Sequence, residues 1–462
     1  MSTPKPPDIL EAGGPHSGTI RELSDPALSP LPTASPRSLD DVLATFTKWL
    51  YLEDVIPVLV VLAAAAANLY LPGEPVWLLL VGASGGGKTE IVRALSTLPQ
   101  VQQAATVTEA ALLSGTPKRE HSKDAKGGLL NQIGERGVIV FKDFTSILSL
   151  HKDARAQVLA ALREIFDGAW TRHVGTDGGR SLSWSGHIGV IAGCTPTIDR
   201  HHGVIASLGE RFLMLRIRPT DRREQARRAL DHKGQEGAMR AEIAGAVAGL
   251  FAGLCDGPWP MSDAERERTI ALADFAARAR SSVERDGTSR DIELIPASEA
   301  PTRIAVTLGR LRDGLLAVGV APELAMSIVC RVAMDSIPAL RCAALDALQE
   351  DLGYQSTSVL AVRLGYPSGT VRRALEDLCG HGLIERRSGG SGKPDRWMLK
   401  EQIREEMATF PDKSSYTGKE NIEAVDSGSD SSRGLVLRAH GDLSGKVYPD
   451  LDCFRDGGDD AF

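Results

Sequence analysis

The fold of this chain is decided by the stretch Val81-Gly82-Ala83-Ser84-Gly85-Gly86-Gly87-Lys88-Thr89. From Gly82 to Thr89 it spells G-x-x-x-x-G-K-T, with every position of the phosphate-loop pattern filled. The apolar run from Val76 to Val81 predicts a buried strand before the loop, and Glu90 to Leu95 predicts the start of a helix after it. Such a loop lets backbone N–H groups surround phosphate oxygens, so the sequence predicts a site for a nucleoside triphosphate.

Two side chains at the end of this loop have distinct predicted roles. Lys88 can reach the β- and γ-phosphates, and the hydroxyl of Thr89 can hold Mg²⁺. We therefore expect a nucleoside triphosphate and Mg²⁺ as cofactors. The residues expected to contact the nucleotide are Gly82, Ser84, Gly85, Gly86, Gly87, Lys88 and Thr89.

A second buried strand is predicted at residues 137–141, and it ends at Lys142-Asp143. An acid in this place organises Mg²⁺ or the attacking water opposite the phosphate loop, and Asp143 is the only acid there. Two assignments stay open. Asp143 activates the water while Lys142 occupies the position of the metal acid, or Asp143 serves the metal together with Thr89. In the second case the base comes from elsewhere, and Glu109 is the best remote candidate.

The next segment has the pattern of a β-hairpin followed by a third buried strand. Residues 170–174 and 180–184 flank Thr176-Asp177-Gly178-Gly179, which is typical of a hairpin turn. The third strand, residues 187–192, leads to Gly193-Cys194-Thr195-Pro196. Gly209-Glu210-Arg211-Phe212 then leads into an apolar strand that ends at Ile217.

This order of parts resembles the AAA+ ATPases with a hairpin inserted before the third-strand sensor, a group that includes the MCM helicases and the NtrC-type activators. Gly128-Leu129-Leu130 through Gly137 and Asp143-Phe144 are similar to the MCM run that ends in an acid-Phe pair. The resemblance covers about residues 40–310 and extends to ATP-binding proteins of actinobacteria and their phages. It implies an α/β fold, a P-loop NTPase parallel-sheet domain followed by a helical lid, and ATP rather than GTP.

The resemblance also implies roles for three further residues. Thr195 would sense the γ-phosphate from the end of the third strand, where the family usually has Asn. Arg211 would act as an arginine finger on the nucleotide of a neighbouring subunit, and Arg303 would be the sensor of the lid domain. A finger acting on a neighbour implies a homo-oligomeric ring. The family usually has two adjacent acids where this chain has Lys142-Asp143, which leaves nucleotide turnover open.

Length and composition suggest several domains in one 462-residue chain. A Pro-, Ser- and Gly-rich segment at the start and an acidic stretch at the end predict disordered termini. Residues 401–462 hold 14 acidic and 7 basic side chains, so the excess there equals the net charge of −7 and the rest of the chain is neutral. The predicted domains are a disordered segment at 1–38, the ATPase core at 39–220, a helical lid at 221–337, a small domain at 338–400 and a disordered acidic tail at 401–462.

Other features of the sequence exclude some classes of protein. Six scattered cysteines without a C-x-x-C pair favour a reduced, cytoplasmic protein and argue against a zinc site. The N-terminal segment has no apolar core and is not a signal peptide. The apolar run from Val55 to Leu71 contains Pro57 and Asn68, so it predicts a buried helix and no membrane span.

The small domain at residues 338–400 has the pattern of a winged helix-turn-helix. Helices are predicted at residues 339–352, 357–364 and 368–379, with wing strands at 383–387 and 396–399 around a Gly-rich tip. This pattern resembles MarR- and ArsR-type regulators and the final domain of some archaeal MCM proteins. The predicted apolar core is Val359, Leu360, Val362, Leu364, Val371, Leu375 and Leu378.

Double-stranded DNA is the predicted partner of this domain, with protein docking as the alternative. Thr370, Arg372 and Arg373 would face the major groove from the recognition helix. Arg386, Arg387, Lys393 and Arg396 would contact phosphates. Arg172 and Arg180 of the hairpin would grip DNA inside a ring. His381 is expected to be structural.

We therefore expect an ATP-binding, AAA+-like motor or switch that couples nucleotide binding, and possible hydrolysis, to DNA binding or remodelling. The first alternative is a winged-helix transcription regulator that nucleotide switches with little turnover. The second is a nucleotide-dependent assembly or defence protein whose winged helix binds a partner protein.

Overall fold

A computed structural model gives the fold of residues 32–114, 128–175, 179–203, 211–255, 257–390 and 393–410. The start of the predicted disordered N-terminal segment, the acidic tail beyond residue 410 and the hairpin turn at 176–178 lie outside the described residues. Gly209-Glu210 of the predicted arginine-finger segment also lies outside them.

The first half of the chain forms a parallel sheet with helices on both faces. Its helices are α1 (Leu39–Trp49), α2 (Ile56–Tyr70), α3 (Lys88–Arg93), α4 (Glu109–Leu112), α5 (Leu129–Ile133), α6 (Thr145–Leu148) and α7 (Lys152–Phe166). Its strands are β1 (Trp77–Val81), β2 (Val101–Ala104), β3 (Arg136–Phe141), β4 (Ala169–Val174), β5 (Arg180–Ser185), β6 (His187–Cys194) and β7 (Phe212–Arg216). Short 3₁₀ segments lie at Ala94–Thr97 and Pro196–His201.

Five of these strands form the parallel sheet, in the order β2-β3-β6-β1-β7. β1 pairs with β6 on one side and β7 on the other, and Val81 lies opposite Cys194 and Arg216. β3 pairs with the other edge of β6, where Phe141 lies opposite Ala192. This mixed α/β architecture is consistent with a P-loop NTPase-like fold. It brings the C-terminal ends of the phosphate-loop strand, the strand before Asp143 and the strand before Thr195 to one edge.

The alternation of side chains along β1 divides the interior into two cores. Trp77, Leu79 and Val81 face a core built with α7 and the β4–β5 hairpin. Leu78 and Leu80 face the larger core, which runs through α2 into the helices that follow the sheet. Both faces of β1 are buried, which explains its unbroken apolar sequence.

Helix α2 lies inside the molecule, with all of its residues buried. The predicted buried helix is therefore confirmed. Its one polar residue near the end, Asn68, donates from Nδ2 to the carbonyl of Val76 and accepts from the Val76 N–H, each at 2.8 Å. The amide thus ties the end of α2 to the start of β1. No helix in the described part of the chain is long and apolar enough to cross a membrane.

Strands β4 and β5 pair in antiparallel register, which confirms the predicted hairpin. Trp170 and Trp184 lie opposite each other and are both buried against the sheet domain. The Trp184 indole donates to the carbonyl of Gly134 at 3.0 Å. The base of the hairpin is therefore anchored on the domain from which it projects.

The second half of the chain is mostly helical. Its helices are α8 (Arg222–Asp231), α9 (Glu236–Ala252), α10 (Asp263–Arg280), α11 (Thr302–Ala317), α12 (Pro322–Asp335), α13 (Ala339–Glu350), α14 (Thr357–Leu364), α15 (Ser368–Gly380) and α16 (Glu401–Ala408). Its strands are β8 (Glu284–Arg285), β9 (Ile292–Leu294), β10 (Gln355–Ser356), β11 (Ile384–Arg387) and β12 (Arg396–Leu399). The first five helices, residues 222–335, pack on the first half of the chain or on one another and are called the lid below, and β8 and β9 form a short hairpin between α10 and α11.

Helix α11 crosses α2 at close range. The guanidinium of Arg310 donates to the carbonyls of Ala67 at 2.6 Å and Glu74 at 3.0 Å, which lie at the end of α2 and in the turn after it. A Cβ on Gly314 would lie 2.2 Å from the carbonyl oxygen of Ala63. Glycine at this position is what allows the two backbones to approach.

The last domain packs α13, α14 and α15 against an antiparallel sheet with the strand order β10-β12-β11. The helix and strand bounds agree with the sequence prediction within two residues. Leu360, Val371, Leu375 and Leu378 are buried as expected. The prediction was wrong for two valines of α14, because Val359 is 52% exposed and Val362 is 85% exposed.

The ordered chain extends past Lys400, where the sequence analysis placed the start of a disordered tail. Residues 401–408 form α16, and Ile403 is buried. The guanidinium of Arg404 donates to the carbonyls of Gln349 and Asp351 at the end of α13. The sequence prediction missed this helix because the segment is mostly polar and acidic, and its few apolar residues lie on one side.

Replacing Gly314 with Ala should destabilise the protein by about 1–3 kcal/mol, because the added methyl would overlap the Ala63 carbonyl. The matched control is Gly245→Ala in α9, where an added Cβ meets nothing within 4 Å. That change should be neutral or stabilising by up to about 1 kcal/mol. Urea unfolding of the three proteins measures both values, and equal stability of the two variants would contradict the predicted close crossing.

Candidate nucleotide-binding site

The phosphate loop leaves β1 at the C-terminal edge of the sheet. The N–H of Gly82 donates to the carbonyl of Cys194 at 3.0 Å, which fixes the start of the loop on β6. Gly85 and Gly87 both have φ of +78°, a left-handed conformation that favours glycine. A Cβ at either position would meet nothing within 4 Å, so the loop borders open space. Turned glycine backbone beside open space is the arrangement that a phosphate group needs.

Lys88, the first residue of α3, is buried with its ammonium folded over the loop. Its Nζ donates to the carbonyls of Gly82 at 2.7 Å and Ala83 at 2.6 Å. Burial lowers the pKa of Lys88 below its ordinary value, and the carboxylate of Asp143 acts in the opposite direction. The lysine is therefore held where phosphate oxygens would replace backbone carbonyls as its partners.

The loop after β3 places Asp143 beside this lysine. Asp143 is exposed, and its Oδ1 accepts the N–H of Thr145 at 2.9 Å. The hydroxyl of Thr145 lies 3.2 Å from that of Thr195 and accepts the Thr195 N–H at 3.1 Å. Thr145, which the sequence analysis missed, thus joins the loop of Asp143 to the predicted sensor. Only the register between β3 and β6 reveals this contact.

The residues present fit a magnesium-bound nucleotide. Thr89 lies half-buried in the first turn of α3, and Asp143 lies close enough to raise the pKa of Lys88. A hydroxyl and a carboxylate are the oxygen ligands that Mg²⁺ takes beside substrate phosphates. In that arrangement Thr89 and Asp143 would hold the ion, and the ion would neutralise phosphate charge.

The first lid helix lies beside the loop. The side-chain amide of Gln225 in α8 donates to the carbonyl of Gly85 at 3.4 Å. Three residues later, Arg228 donates to the carbonyl of Lys48 at the end of α1. The sequence held no signal for Gln225, because an amide on a polar helix is ordinary.

Glu109, the remote candidate for a base, pairs with Arg172 of the hairpin at 2.8 Å. Arg172 also donates to the carbonyl of Leu113 at 3.0 Å. The arginine predicted to grip DNA is therefore bound to the sheet domain in this structure. Glu109 and Ser146 line one cavity of about 170 Å³. A catalytic role for Glu109 stays a prediction, and it requires the ion pair of Glu109 with Arg172 to open. The side chain of Arg180 lies outside the described part.

Arg211 and Arg303 lie at the opposite edge of the sheet from the phosphate loop. Arg211 precedes β7, whose first residue pairs with Trp77 at the start of β1. Because a strand rises about 3.3 Å per residue, this end of β1 is roughly 16 Å from the loop. Neither arginine can serve the loop of its own chain, because both guanidinium groups lie within 6 Å of the Phe166 ring at this far edge.

The guanidinium of Arg211 is buried and also forms an ion pair. It donates to both carboxylate oxygens of Asp167 at 2.7 Å. Arg303 is more exposed and pairs with Glu299 at 2.7 Å. An arginine finger at Arg211 therefore requires its pair with Asp167 to open, and both arginine roles remain predictions.

The segment after Thr195 connects the site to the lid. Asp199 forms two hydrogen bonds with the guanidinium of Arg216, at 2.8 and 2.9 Å. His202 donates from Nε2 to the carbonyl of Arg280, at 2.5 Å, at the end of α10. The neighbouring Ser281 carbonyl accepts from Arg341 of α13 at 2.7 Å. A short hydrogen-bonded path thus joins the sensor strand to the C-terminal domain.

Three of the seven predicted DNA-contacting residues of the C-terminal domain line one concave surface. Arg372 of α15, Arg386 of β11 and Lys393 line a cavity of about 640 Å³. Arg373 donates to the hydroxyl of Thr370 at 3.4 Å on the same helix. Arg387 and Arg396 are opposite each other in the β11–β12 register.

The outer face of α15 also contacts the lid. Arg285 of the β8–β9 hairpin pairs with Glu376 at 2.8 Å and Asp377 at 2.6 Å. Arg341 pairs with the second oxygen of Asp377 at 2.7 Å. His381, buried directly after the end of α15, has its Nδ1 3.1 Å from the hydroxyl of Ser298, and the structural role expected for it stays a prediction.

No protein-family model matches the chain, and no curated protein sequence matches it. Among solved structures, the chain is similar to the apo A form of the NrS-1 C-terminal region, with 13% identity, 81% of this chain and 79% of that chain covered, and a TM-score of 0.29. It is also similar to the ORC2 protein of Aeropyrum pernix in its ADPNP–ADP complexes, with 13% identity, 82% and 95% covered, and a TM-score of 0.21. Likeness at this level assigns neither a family nor a function.

The contact of His202 predicts a pH dependence of stability. Burial lowers its pKa from 6.5 to about 4, and the Arg341 charge acts in the same direction. The folded protein therefore favours the neutral form of His202. The contribution of His202 to the free energy of unfolding is present in full above pH 6.5 and is lost as the pH falls towards 4. The loss amounts to about 3 kcal/mol at most.

Urea unfolding at pH values from 7 to 4.5 measures this dependence. His202→Gln should flatten the fall in unfolding free energy below pH 6.5, whereas His151→Gln, at an exposed position, should leave it unchanged. A His202→Gln variant with the full pH dependence of the parent would contradict the assignment.

Proposed function

We propose that this chain binds magnesium ATP at the phosphate loop and couples the nucleotide state to DNA binding by its C-terminal domain. The observation that carries the proposal is the geometry around Lys88. The buried ammonium, the left-handed glycines and the carboxylate of Asp143 meet at one edge of a parallel sheet. The triphosphate group of a nucleotide carries the negative charge that this arrangement attracts.

The sheet order supports the AAA+-like part of the proposal. The strand that leads to Thr195 lies between the phosphate-loop strand and the strand before Asp143. A γ-phosphate held by Lys88 would therefore lie near both Thr195 and Asp143.

Lys88→Ala should abolish nucleotide binding, because it removes the ammonium that lies in the loop. We expect at least a 100-fold weaker affinity for a fluorescent ATP analogue in the presence of Mg²⁺, measured by anisotropy. The matched control is Lys152→Ala, an exposed lysine at the start of α7, which should bind like the parent. Unlabelled ATP and GTP as competitors give the base preference. Unchanged binding by a folded Lys88→Ala protein would refute the nucleotide site.

The C-terminal domain supports the DNA part of the proposal. Three helices and a small antiparallel sheet have the order of a winged helix, with α15 as the recognition helix. Arginines from the helix and from the wing line the same concave surface. Cations from two elements that converge on one surface suit a phosphate backbone.

The lid supplies the coupling between the two ends. Gln225 contacts the phosphate loop, and Arg285 of the same lid holds the outer face of α15. Binding of nucleotide would change the partners of the loop and bias the position of the lid. The recognition helix would then move with Arg285 or lose its contact.

A homo-oligomer with shared sites is part of the same proposal. Arg211 and Arg303 lie at the sheet edge opposite Lys88, where they could meet the nucleotide only of a neighbouring copy. In such a ring Arg211 would exchange Asp167 for a phosphate oxygen. The charge that it brings would then stabilise the transition state.

A second candidate function is a nucleotide-switched transcription regulator with little turnover. Lys142 stands beside Asp143 where the AAA+ group has a second acid, and Glu109 is bound by Arg172. A single carboxylate near the phosphates organises Mg²⁺ or water less completely than a pair. This observation favours binding over hydrolysis.

Phosphate release with and without duplex and single-stranded DNA separates the two functions. A motor should show turnover that DNA stimulates at least several-fold and that Asp143→Asn lowers about 100-fold without loss of ATP binding. A regulator should show tight duplex binding that responds to ATP, with negligible turnover. Absence of any DNA binding at low salt would refute both.

A further inference from the structure

One carboxylate lies between the cations of the C-terminal surface. The side chain of Asp395 is only 9% exposed, although acidic residues rarely lie buried. Its Oδ2 lies 2.9 Å from Nη2 of Arg386 on β11 and 3.4 Å from Nη2 of Arg372 on α15. Asp395 therefore joins the proposed recognition helix to the proposed wing.

The position of Asp395 is fixed by its own backbone. Its carbonyl accepts the N–H of Thr357 at 3.1 Å and the Thr357 hydroxyl at 3.2 Å. The Trp397 indole donates to the same hydroxyl at 2.8 Å. The Arg386 guanidinium lies 5.6 Å from the Trp397 ring. The backbone of Asp395 is thus anchored to the start of α14, which limits how far its carboxylate can follow the arginines if they move.

The charges around this carboxylate favour an anion in the cavity. Arg372, Arg386 and Lys393 line it with Asp395, so three positive charges face one negative charge. Arg372 also pairs with Glu376 at 2.9 Å, on its own helix. A guanidinium has five N–H donors, more than one carboxylate can accept. The cavity, of about 640 Å³, has room for a phosphate group and the sugar attached to it.

We propose that Asp395 is a positioning residue that holds Arg372 and Arg386 at a fixed separation, so that one phosphate of duplex DNA binds between them. This inference rests on the proposed DNA binding. Two arginines without the carboxylate repel each other and adopt many arrangements. They still attract any polyanion, but they no longer favour the one backbone path that fits both. Asp395 therefore lowers general attraction for phosphate and raises discrimination between duplexes.

The test compares the full-length parent, Asp395→Asn and a matched control, Asp351→Asn. Asp351 pairs with Arg363 at 2.8 Å in the same domain and outside the cavity. The parent first selects a preferred duplex from a randomised pool. Affinities for this duplex and for a scrambled one of equal length are then measured over a range of salt concentrations.

Asp395→Asn should bind the scrambled duplex several-fold more tightly than the parent does, and its preference for the selected duplex should fall about tenfold. Its plot of log affinity against log salt should be steeper by about one, because one more cation contacts phosphate. Asp395→Glu should restore the salt slope but not the preference, since the charge returns at a different place. Asp351→Asn should behave like the parent.

A folded Asp395→Asn protein with the parent's preference and salt slope would overturn the positioning role alone. So would equal loss of binding to both duplexes. If the parent binds no duplex at low salt, the proposed DNA binding fails as well, which distinguishes the two failures. If Asp395→Asn does not fold, Arg372→Gln at a position 51% exposed replaces it. That variant should also lose about tenfold in preference, and an unchanged preference would overturn the proposal.

Discussion

The parallel register of β1 with its two neighbours is the constraint on which the rest of this structure depends. β1 is buried on both faces, and its last residue lies opposite Cys194 on one side and Arg216 on the other. Because parallel strands end at the same edge, this register, together with the pairing of β6 with β3, brings the phosphate loop to the strand ends that carry Asp143 and Thr195. The same register sends Arg211 to the far edge. The parallel arrangement therefore places the phosphate loop, Asp143 and Thr195 of the proposed nucleotide site together. It also separates them from Arg211, which is proposed to act on the nucleotide of a neighbouring copy.

The larger apolar core packs the second half of the chain against the sheet that carries the proposed nucleotide site. One face of the sheet, α2, the lid helices and the C-terminal helices share a continuous apolar interior. Close-packed interiors transmit displacement, since side chains cannot shift without moving their neighbours. Across the outside of this core, Arg285 and Arg341 hold Asp377 of α15 with short ion pairs. The proposed recognition helix is thus attached to the lid by Arg285 and to α13 of its own domain by Arg341.

Ion pairs of buried or half-buried arginines join elements at several positions. Arg211 with Asp167, Arg216 with Asp199 and Arg331 with Asp54 all join segments that are distant in sequence. Removing one partner of a buried pair is costly, because the other charge is left buried without its partner. Asp395 joins α15 and β11 on a smaller scale. In these pairs, and in that of Arg172 with Glu109, arginine fixes the relative position of two elements in this structure.

The sequence by itself determined four strands of the parallel sheet, the phosphate loop, the two hairpin strands and nearly all helix bounds of the C-terminal domain, because these follow from local periodicity and turn chemistry. Only the tertiary structure decided which polar residues meet. Thr145 beside Thr195, Gln225 beside Gly85 and Arg172 bound to Glu109 depend on strand register and helix docking, which no local pattern encodes. The tertiary structure also decided which apolar residues of α14 are buried. The side of a short helix that faces away from its own domain is buried only if another element packs against it. Val359 and Val362 are apolar by sequence but exposed by topology.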